Sequence, residues 1–432
     1  MSIAARFRTV LPDDRIFAGE GAQAFAIAGL APQCVLFPET VDEISRCVRV
    51  ADEAGLAIVP VGQGTQLAFG NVPQRYDLAL STRRLHRILA HEAADMTITV
   101  AAGATLAEVN AALEPARQHL PLDPPHPDQI TIGALIATDV SGPLRLAHGK
   151  ARDLLIGIQA VLADGTLIKG GGRVVKNVAG YDLMKLFTGS FGTLGTVVEA
   201  TFKVRPRPEH EALLVISAAD TAAAMGLALE VLAAPVAPLY VEALNPLAVA
   251  ALGLGEGAAV LVGCGGTAQE VAIQDVRLHA VAGSRAVRTC AGDEATKLYH
   301  RLRDCPANLR AEPGLGCKLS LLPSQLSRAL VEIEREGAGR GMRCAILSHV
   351  GSGVAHLHLT GSEAGVLAMA DWMRTSVRAA NGWTTFDEIP GALKRRIDTW
   401  GTDVPGLGLM RALKRELDPR ARLSPGRFIG GI

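Results

Sequence analysis

A glycine-containing loop at residues 60–67 has the composition of a phosphate-binding turn. Its sequence, Pro-Val-Gly-Gln-Gly-Thr-Gln-Leu, follows a short apolar run. Glycine lets backbone N–H groups approach an anion closely and adopt unusual dihedral angles. A dinucleotide Rossmann turn needs a third glycine opening a helix, whereas Leu67 stands at that position and Pro73 follows. A P-loop is excluded because no G-x-x-x-x-G-K-[ST] occurs. By itself the loop is either a diphosphate site of another type or a plain turn.

Two histidines, His356 and His358, stand two residues apart in a segment that reads as a strand. Residues i and i+2 of a strand point to the same face of the sheet, so the two imidazoles should lie side by side. Such a pair could hold a metal ion, but no carboxylate stands close by in the sequence. We therefore expect no metal site and interpret the pair as inward polar groups that neighbours satisfy.

Composition and charge exclude several classes of function. The chain has 432 residues, 49% hydrophobic and 20% charged, which suits two domains. Its 43 basic and 43 acidic residues cancel, whereas nucleic-acid binding needs a clustered excess of lysine and arginine. The first fifteen residues lack the apolar centre of a signal peptide. No uncharged apolar run approaches the roughly 20 residues of a membrane helix, so we expect no membrane span.

The seven cysteines favour a reduced compartment. Their number is odd, and no two form a C-x-x-C pair or stand at metal-ligand spacing. Most are interpreted as small buried apolar side chains. The sequence thus predicts a cytoplasmic protein without an iron–sulphur cluster of its own, any attachment to the inner membrane face being made through partners.

The elements that must position these residues fall into two domains. A helix predicted over residues 41–54 and a buried strand at 56–59 lead into the glycine loop. Residues 170–172, three glycines, are predicted to form a flexible loop. The Arg-Pro-Arg-Pro-Glu segment at 205–209 is the best domain boundary. Beyond it, strands and helices alternate without an internal sequence repeat, an order that fits a two-layer ferredoxin-like domain.

Several motifs occur together in an order and spacing that resemble a known family. They are the loop at 60–67, Thr-Ile-Gly-Ala at 131–134, Ser-Gly-Pro at 141–143, Val-Lys-Asn-Val-Ala-Gly-Tyr-Asp-Leu at 175–183 and Gly-Thr-Leu-Gly-Thr-Val-Val-Glu at 192–199. From about Leu30 to Pro208 the chain resembles the FAD-binding domain of the vanillyl-alcohol oxidase and p-cresol methylhydroxylase family. Within that family, the 175–183 run and the Asp-Pro-Pro-His run ending at His126 look most like the FAD-binding (E-type) subunit of bacterial glycolate oxidase.

The resemblance implies FAD as the cofactor and assigns its contacts. The first diphosphate loop comprises Pro60, Gly62, Gln63, Gly64, Thr65 and Gln66. The second diphosphate and ribityl segment comprises Thr131, Gly133, Ala137, Asp139 and Gly142. The strand that borders the adenine end contributes Val198 and Glu199. Arg145 and Arg152 are candidates for compensating the phosphate charge, with a surface ion pair as the alternative interpretation.

The resemblance also implies that FAD is bound non-covalently. Many members of the family attach the flavin through a histidine in the first loop. The matching residue here is Thr65, followed by Gln66. Acid or heat should therefore release the flavin.

The implied fold is α+β and has three parts. The FAD-binding domain, made of two α+β subdomains, would span residues 30–208, and a ferredoxin-like α+β cap would span 209–400. A C-terminal helix and tail at 401–432 would pack back on the FAD-binding domain. The ending Leu-Ser-Pro-Gly-Arg-Phe suits the family, with Ser424 where asparagine is usual. The returning tail would bring the fixed charge of Arg427 near the flavin.

Two hypotheses about the flavin stay open. In the first, the chain oxidises a small 2-hydroxy acid, glycolate or D-lactate, by hydride transfer to FAD. Its candidate bases are then His126, His356 and His358, and its candidate cations are Arg427 and Lys176. In the second, the chain is a non-catalytic FAD-binding accessory or electron-relay subunit, which the missing metal-site context favours.

Both hypotheses place the chain in a complex. The family subunit that it resembles works beside a second flavoprotein subunit and an iron–sulphur subunit, and this chain has no cysteines suited to clusters. A flavin-dependent reductase of the cell-wall type shares the FAD fold. Its chemistry needs NADPH and a dedicated proton donor, and no feature of the sequence demands either.

Overall fold

The N-terminal half of the protein begins with a small sheet that carries the glycine loop at its edge. The computed structural model describes residues 2–173, 180–402 and 404–432. The first elements are α1 (Ile3–Phe7), β1 (Ile16–Ala18), α2 (Glu20–Gln23), β2 (Cys34–Leu36), α3 (Val41–Glu53), β3 (Ile58–Val61) and β4 (Leu78–Ser81). The strand order is β1-β2-β4-β3, antiparallel between β1 and β2 and parallel elsewhere. This sheet thus starts before residue 30.

Helix α3 is fixed by a capping box and an apolar face. The Thr40 hydroxyl accepts from the Glu43 N–H at 3.2 Å, and the Glu43 carboxylate accepts from the Thr40 N–H at 3.3 Å. Ile44, Cys47 and Val48 are buried at helical spacing. The helix ends before Gly55, and β3 follows directly. The end of β3 is therefore held rigidly where the glycine loop begins.

A second sheet completes the N-terminal half. Its elements are β5 (Ile88–Glu92), β6 (Thr97–Ala101), α4 (Leu106–Leu113), β7 (Gln118–His119), α5 (Ile132–Thr138), α6 (Arg145–His148), α7 (Ala151–Leu154), β8 (Leu155–Val161), β9 (Leu167–Gly171), α8 (Leu183–Phe187), β10 (Thr196–Lys203) and β11 (Arg205–Pro206). Five strands pair antiparallel in the order β5-β6-β10-β8-β9, while β7 pairs with β11. Residues of both sheets, such as Leu78 and Val198, share one apolar core.

The glycine run at 170–172 is not the flexible loop that the sequence predicts. Gly170 and Gly171 lie in β9 and pair with Ile158 and Gly157 of β8. A Cβ on Gly171 would lie 2.1 Å from the Ile156 carbonyl oxygen, and one on Gly170 would lie 2.7 Å from Leu183. Glycine is required here for close packing rather than for flexibility.

The C-terminal half is dominated by one antiparallel sheet of eight strands. Its elements are β12 (His210–Ala218), α9 (Thr221–Ala233), β13 (Tyr240–Leu244), α10 (Pro246–Ala251), β14 (Ala258–Gly266), α11 (Ala268–Ala282), β15 (Val287–Ala291), α12 (Gly292–Asn308), β16 (Leu315–Ser320), α13 (Pro323–Gly339), β17 (Arg343–His349), β18 (Val354–Thr360), α14 (Glu363–Ala379) and β19 (Trp383–Glu388). The strand order is β15-β12-β14-β13-β17-β18-β16-β19.

This sheet contains the ferredoxin-like arrangement twice. The units β12-α9-β13-β14-α11-β15 and β16-α13-β17-β18-α14-β19 have the same order of elements, and each arranges its four strands as 4-1-3-2. They join where β13 pairs with β17, with Glu242 opposite His349. The expected α+β fold is confirmed, and the duplication adds to it a repeat that the sequence does not display.

The last helix, α15 (Leu407–Leu417), docks on the N-terminal half. The Lys414 ammonium donates to the carbonyl oxygens of Thr193 and Leu423, each at 2.8 Å. The Ser424 N–H donates to the Ile58 carbonyl oxygen at 2.7 Å, so the tail runs beside β3. The tail therefore runs along the strand that leads into the glycine loop.

Candidate active site

A cleft of about 700 Å³ opens between the glycine loop, α5 and the segment before β10. Its walls are Val59, Pro60, Val61, Gly62, Gly64, Thr65, Gln66, Leu67, Thr82, Gly133, Ala134, Ala137, Thr138, Phe191, Gly192, Gly195, Thr196, Val197 and Arg427. Three stretches far apart in the sequence therefore meet at one concave surface, and the C-terminal tail adds Arg427. A long, narrow ligand fits such a groove.

The glycine loop presents free backbone donors to this cleft. The N–H groups of residues 63–66 make no hydrogen bond to any group in the described part of the chain. Gly62 is required by packing, because a Cβ there would lie 2.2 Å from the Thr131 hydroxyl oxygen. Gly64 has a φ of +96°, which side chains rarely tolerate. Unpartnered amides on a constrained loop form the anion cradle that a diphosphate requires.

Two buried polar atoms in the cleft also lack partners among the described residues. They are the hydroxyl oxygen of Thr196 and Nη1 of Arg427. Arg427 is 3% exposed, and its Nη2 donates to the carbonyl oxygens of Leu67 and Phe69. Burial lowers the pKa of Arg427 to about 10, so the guanidinium stays charged at neutral pH. Buried polar groups are normally satisfied, so these atoms mark where a polar ligand binds. The residues fit a dinucleotide carrying a diphosphate.

Most of the sequence-predicted contacts line this cleft directly. Those that do are Pro60, Gly62, Gly64, Thr65, Gln66, Gly133 and Ala137. Gln63 lies within the same loop, and Thr131 caps α5 by accepting from the Ala134 N–H at 3.3 Å. Arg427, predicted as a cation near the flavin, is also in the wall.

Other predicted contacts lie outside the cleft wall. Val198 is buried in the sheet, where its carbonyl oxygen accepts from the Ala102 N–H at 3.0 Å, and Glu199 follows it in β10. Their neighbours Thr196 and Val197 line the cleft instead. Arg152 is exposed on α7. The pairing of β10 with β8 shifts register between Val197 and Glu199, so the motif alone does not reveal which side chains face the groove.

A charged cluster lies at the C-terminal end of α5. Asp139 ends that helix with a φ of +51° and pairs with Lys150. Gly142, three residues on, donates its N–H to an Asp123 carboxylate oxygen at 3.2 Å. Arg145 is half-buried on α6 and makes no ion pair with a described residue. The cluster thus begins where the cleft-lining helix stops.

Lys318 of β16 faces this cluster from the eight-stranded sheet. Burial lowers its pKa, the nearby Lys150 and Arg145 lower it further, and Asp387 and Asp139 oppose the shift. No carboxylate in the described part of the chain lies within ion-pair distance of Lys318. Lys318 and Arg145 are therefore two cations, one from each half of the protein, with Asp139 nearby but with no carboxylate of the described residues at ion-pair distance from either.

A buried histidine–glutamate pair joins the two ferredoxin-like units beside these cations. His349 Nδ1 and Glu242 Oε1 are 2.7 Å apart, and the side chains are 4% and 1% exposed. Burial raises the pKa of Glu242, and His349 opposes the rise. The other imidazole nitrogen, Nε2 of His349, has no partner among the described residues. An imidazole held by a carboxylate on one side and free on the other can accept a proton.

His356 packs against this pair, while the other predicted catalytic histidines are engaged elsewhere. The rings of His349 and His356 are 5.2 Å apart, and burial together with nearby cations holds the pKa of His356 well below its usual value. His358 Nε2 lies 2.8 Å from the Glu312 carbonyl oxygen. His126 lies outside the cleft, where its backbone N–H donates to Asp304 at 2.9 Å. Lys176 lies outside the described residues.

His356 and His358 do share a face, as strand alternation predicts. Both line a cavity of about 240 Å³ together with Arg310 and Asp387. Within the described residues, no three histidine, cysteine or acidic side chains are grouped to hold a metal ion.

The sequence interpretation misses Glu242, His349 and Lys318. One signal was available for Glu242, because a charged residue in the apolar run Tyr-Val-Glu-Ala-Leu indicates a buried partner. His349 and Lys318 do not stand out in this way from the residues on either side of them. Their proximity becomes visible only when β13, β16, β17 and β18 are placed side by side.

Comparison with known proteins identifies the family of both halves. Residues 32–171 match the family described as FAD binding domain, and residues 207–428 match the C-terminal domain of FAD linked oxidases. Glycolate oxidase subunit GlcD of Bacillus subtilis is 30% identical over 418 residues, covering 92% of this chain and 89% of that protein. Glycolate oxidase subunit GlcE of Escherichia coli is 42% identical over 127 residues, covering 29% of this chain and 36% of that protein.

Solved structures show the same fold at low identity. Substrate-bound p-cresol methylhydroxylase superposes with a TM-score of 0.80 at 16% identity, covering 98% of this chain and 95% of that one. No helix in the described ranges is both long and apolar enough to cross a bilayer. The two family matches and the cleft geometry agree on one cofactor, FAD. The chain belongs to the FAD-linked oxidase family and is an FAD-dependent oxidoreductase.

Proposed function

We propose that this protein oxidises a small 2-hydroxy acid, such as glycolate or D-lactate, as one subunit of a glycolate oxidase-like complex. The observation that carries the proposal is the pair of cations Arg145 and Lys318, neither of which makes an ion pair with a carboxylate of the described residues. A substrate carboxylate would supply the missing negative charge. Arginine binds a carboxylate through two N–H groups and lysine adds a point charge.

The relatives support this substrate class. Besides the two glycolate oxidase subunits, D-lactate dehydrogenase [cytochrome] of Arabidopsis thaliana is 24% identical over 96% of this chain. Glycolate and D-lactate share the 2-hydroxy acid group. A second flavoprotein subunit and an iron–sulphur subunit are the proposed partners, because the chain resembles both GlcD and GlcE.

The chain's own residues divide the work of the reaction. When bound, FAD would supply the acceptor for the hydride that leaves the carbon bearing the hydroxyl group. Arg145 and Lys318 hold the carboxylate and so fix the orientation of that carbon. His349 takes the hydroxyl proton on Nε2, and Glu242 keeps Nδ1 protonated and stabilises the imidazolium that forms. His356, neutral because of its low pKa, packs beside His349 without competing for the proton.

Anaerobic reduction of the purified flavoprotein tests the proposal. Glycolate and each enantiomer of lactate are added in turn, and the loss of oxidised-flavin absorbance is followed. We expect a D-2-hydroxy acid or glycolate to bleach the flavin. The Lys318→Met variant should raise the substrate concentration for half-maximal rate with little effect on flavin content. Full flavin with no bleaching by any of these acids contradicts the proposal.

The alternative is a non-catalytic accessory role, and one observation favours it. The local similarity to GlcE, 42%, exceeds that to GlcD, 30%, but it covers only 29% of this chain. A subunit of this kind would keep its flavin oxidised when mixed with 2-hydroxy acids alone. The flavin would then be reduced only after the partner flavoprotein subunit is added.

A further inference from the structure

Lys394 is a buried cation that lies against the chain just after the glycine loop. It stands first in the run Lys-Arg-Arg at 394–396 and is 5% exposed, whereas Arg395 beside it is exposed. The Lys394 ammonium donates to the carbonyl oxygen of Ala68 at 2.7 Å. Lysine is rarely buried to this extent without a negative partner, so an anion is expected near it.

Two buried cations hold three consecutive carbonyl groups at this point of the chain. Arg427 donates to those of Leu67 and Phe69, and Lys394 donates to that of Ala68 between them. Arg427 belongs to the wall of the FAD cleft, whereas Lys394 lies outside that wall. The free N–H groups of the glycine loop are therefore followed directly by backbone that both cations fix in place.

The carboxylates near Lys394 are engaged with other groups. Those of Asp387, Glu388 and Asp398 affect its titration, but none of them lies at ion-pair distance from its ammonium. Asp387 and Glu388 pair with Arg310. Asp398 accepts from one side-chain amide and two backbone N–H groups at 2.7, 2.8 and 2.6 Å. Among the described residues, Lys394 thus has no ion-pair partner of its own.

The protein by itself disfavours the charge on Lys394. Burial and the nearby Arg427 lower its pKa from 10.5 to about 8, while the three carboxylates oppose the shift. Arg427 likewise makes no ion pair with a described residue, and its Nη1 has no partner among them. Buried charges are normally paired, and the diphosphate of FAD brings two negative charges to the adjoining loop. The cofactor would therefore supply the anion that both cations lack.

We propose that Lys394 is a positioning residue for FAD and that the cofactor binds together with a proton on this ammonium group. The charged side chain fixes Ala68 and attracts the diphosphate, and the diphosphate in turn raises the pKa of Lys394. Protein that has lost this proton regains it from the solvent as FAD binds. The affinity for FAD should therefore fall as the pH rises through about 8. Neither the substrate nor the partner subunits enter this coupling.

The dissociation constant of FAD, measured at about pH 7.5 and about pH 9, tests the coupling. The fluorescence of flavin released when the holoprotein is diluted gives this constant, and circular dichroism checks the fold at both pH values. Burial raises the pKa of Glu388 to about 7, so this carboxyl is mostly ionised at the lower pH. Burial lowers the pKa of Arg427 to about 10, so the guanidinium is mostly charged at the higher pH. We expect the dissociation constant of the wild type to rise about five- to tenfold, because Lys394 loses its proton in between.

Two variants at this position and a matched control locate the proton. Lys394→Arg keeps a positive charge at both pH values and should lose most of the pH dependence. Lys394→Met should bind FAD at the lower pH at least as weakly as the wild type does at the higher pH. Arg395→Met removes an exposed charge from the next residue and should behave like the wild type in about 0.15 M salt. An equal change with pH in the wild type and in Lys394→Arg overturns the inference, as does flavin that stays bound in every variant at both pH values.

Discussion

The guanidinium of Arg427 donates a hydrogen bond to the carbonyl oxygen of Leu67 at 3.1 Å, although the two residues are 360 positions apart. The carbonyl oxygen of Arg427 in turn accepts from the Trp400 indole at 2.9 Å. The C-terminal tail therefore holds the glycine loop from its far side. The cleft is complete only when the last residues of the chain have docked.

Replacing Arg427 should weaken FAD binding. Arg427→Ala removes the buried charge and frees the carbonyl oxygens of Leu67 and Phe69, and hydrogen bonds to charged groups contribute about 1.5–3 kcal/mol. We expect a 10- to 100-fold higher dissociation constant, measured by flavin fluorescence. Arg420→Ala is the control, because Arg420 lies on the same tail but pairs with Asp52 at the surface. Equal affinity in both variants would remove Arg427 from the cofactor site.

A single methyl group at Gly62 should abolish flavin binding without unfolding the protein. The Cβ of Gly62→Ala would lie 2.2 Å from the Thr131 hydroxyl oxygen, so the loop must move away from α5. We expect a colourless protein with an unchanged circular dichroism spectrum. Gly226→Ala, in α9 with open space around the new methyl group, should purify with normal flavin content. A yellow Gly62→Ala protein would contradict the assigned diphosphate loop.

The flavin should be released by acid. Thr65 and Gln66 line the cleft where many family members carry the histidine that bonds to FAD, and neither side chain can form that bond. After precipitation with trichloroacetic acid, the absorbance of FAD is expected in the supernatant. Yellow colour that stays in the pellet would show a covalent link and refute the prediction.

Glu242→Gln should slow flavin reduction more than it affects flavin binding. The amide keeps the shape of the side chain but no longer stabilises a protonated His349, and a positioned base contributes 10²–10⁴-fold. We expect a rate constant for reduction by substrate about 100-fold lower, with a changed pH profile and the same FAD content. Glu363→Gln, exposed at the start of α14, provides the matched control. An unaltered rate constant would exclude the pair as the base.

Asp123 should make folding stability depend on pH. Burial raises its pKa from the usual 3.8 to about 7. Below 3.8 both the folded and unfolded chains hold the proton, so this residue adds no pH dependence. Between 3.8 and about 7 the unfolded chain loses the proton first, so the free energy of unfolding falls as the pH rises. Asp123→Asn removes this slope, which urea titrations at pH 5 and pH 7.5 can measure. An identical change with pH in both proteins would refute the raised pKa.

The sequence is most informative where a short run of consecutive residues determines the local backbone structure. The glycine loop at 60–67 and the start of α5 are recognisable because backbone geometry at these points demands particular residues, and both line the cleft. The helix at Leu407–Leu417 has an apolar periodicity and lies within the C-terminal segment, 401–432, in which the sequence predicts a helix. In each case the physical requirement lies within about ten consecutive residues.

The parts of the fold and of the candidate site that the sequence does not predict depend on contacts between strands that are far apart in the chain. Glu242 and His349 are 107 residues apart, and only the pairing of β13 with β17 makes them neighbours. The side chain of Val198 could not be assigned to the sheet core rather than the cleft without the register of β10. The duplicated cap escapes detection because an antiparallel unit requires only a pattern of apolar positions, which two dissimilar sequences can satisfy equally well.

The pairing of β13 with β17, the seam between the two ferredoxin-like units, determines when during folding the Glu242–His349 pair can form. Glu242 belongs to the first ferredoxin-like unit and His349 to the second, so neither unit contains the pair by itself. Residues of both units share one apolar core, so the proposed proton acceptor forms only when that common core closes. If this pair is the base that we propose, activity requires that the two ferredoxin-like units have docked on one another.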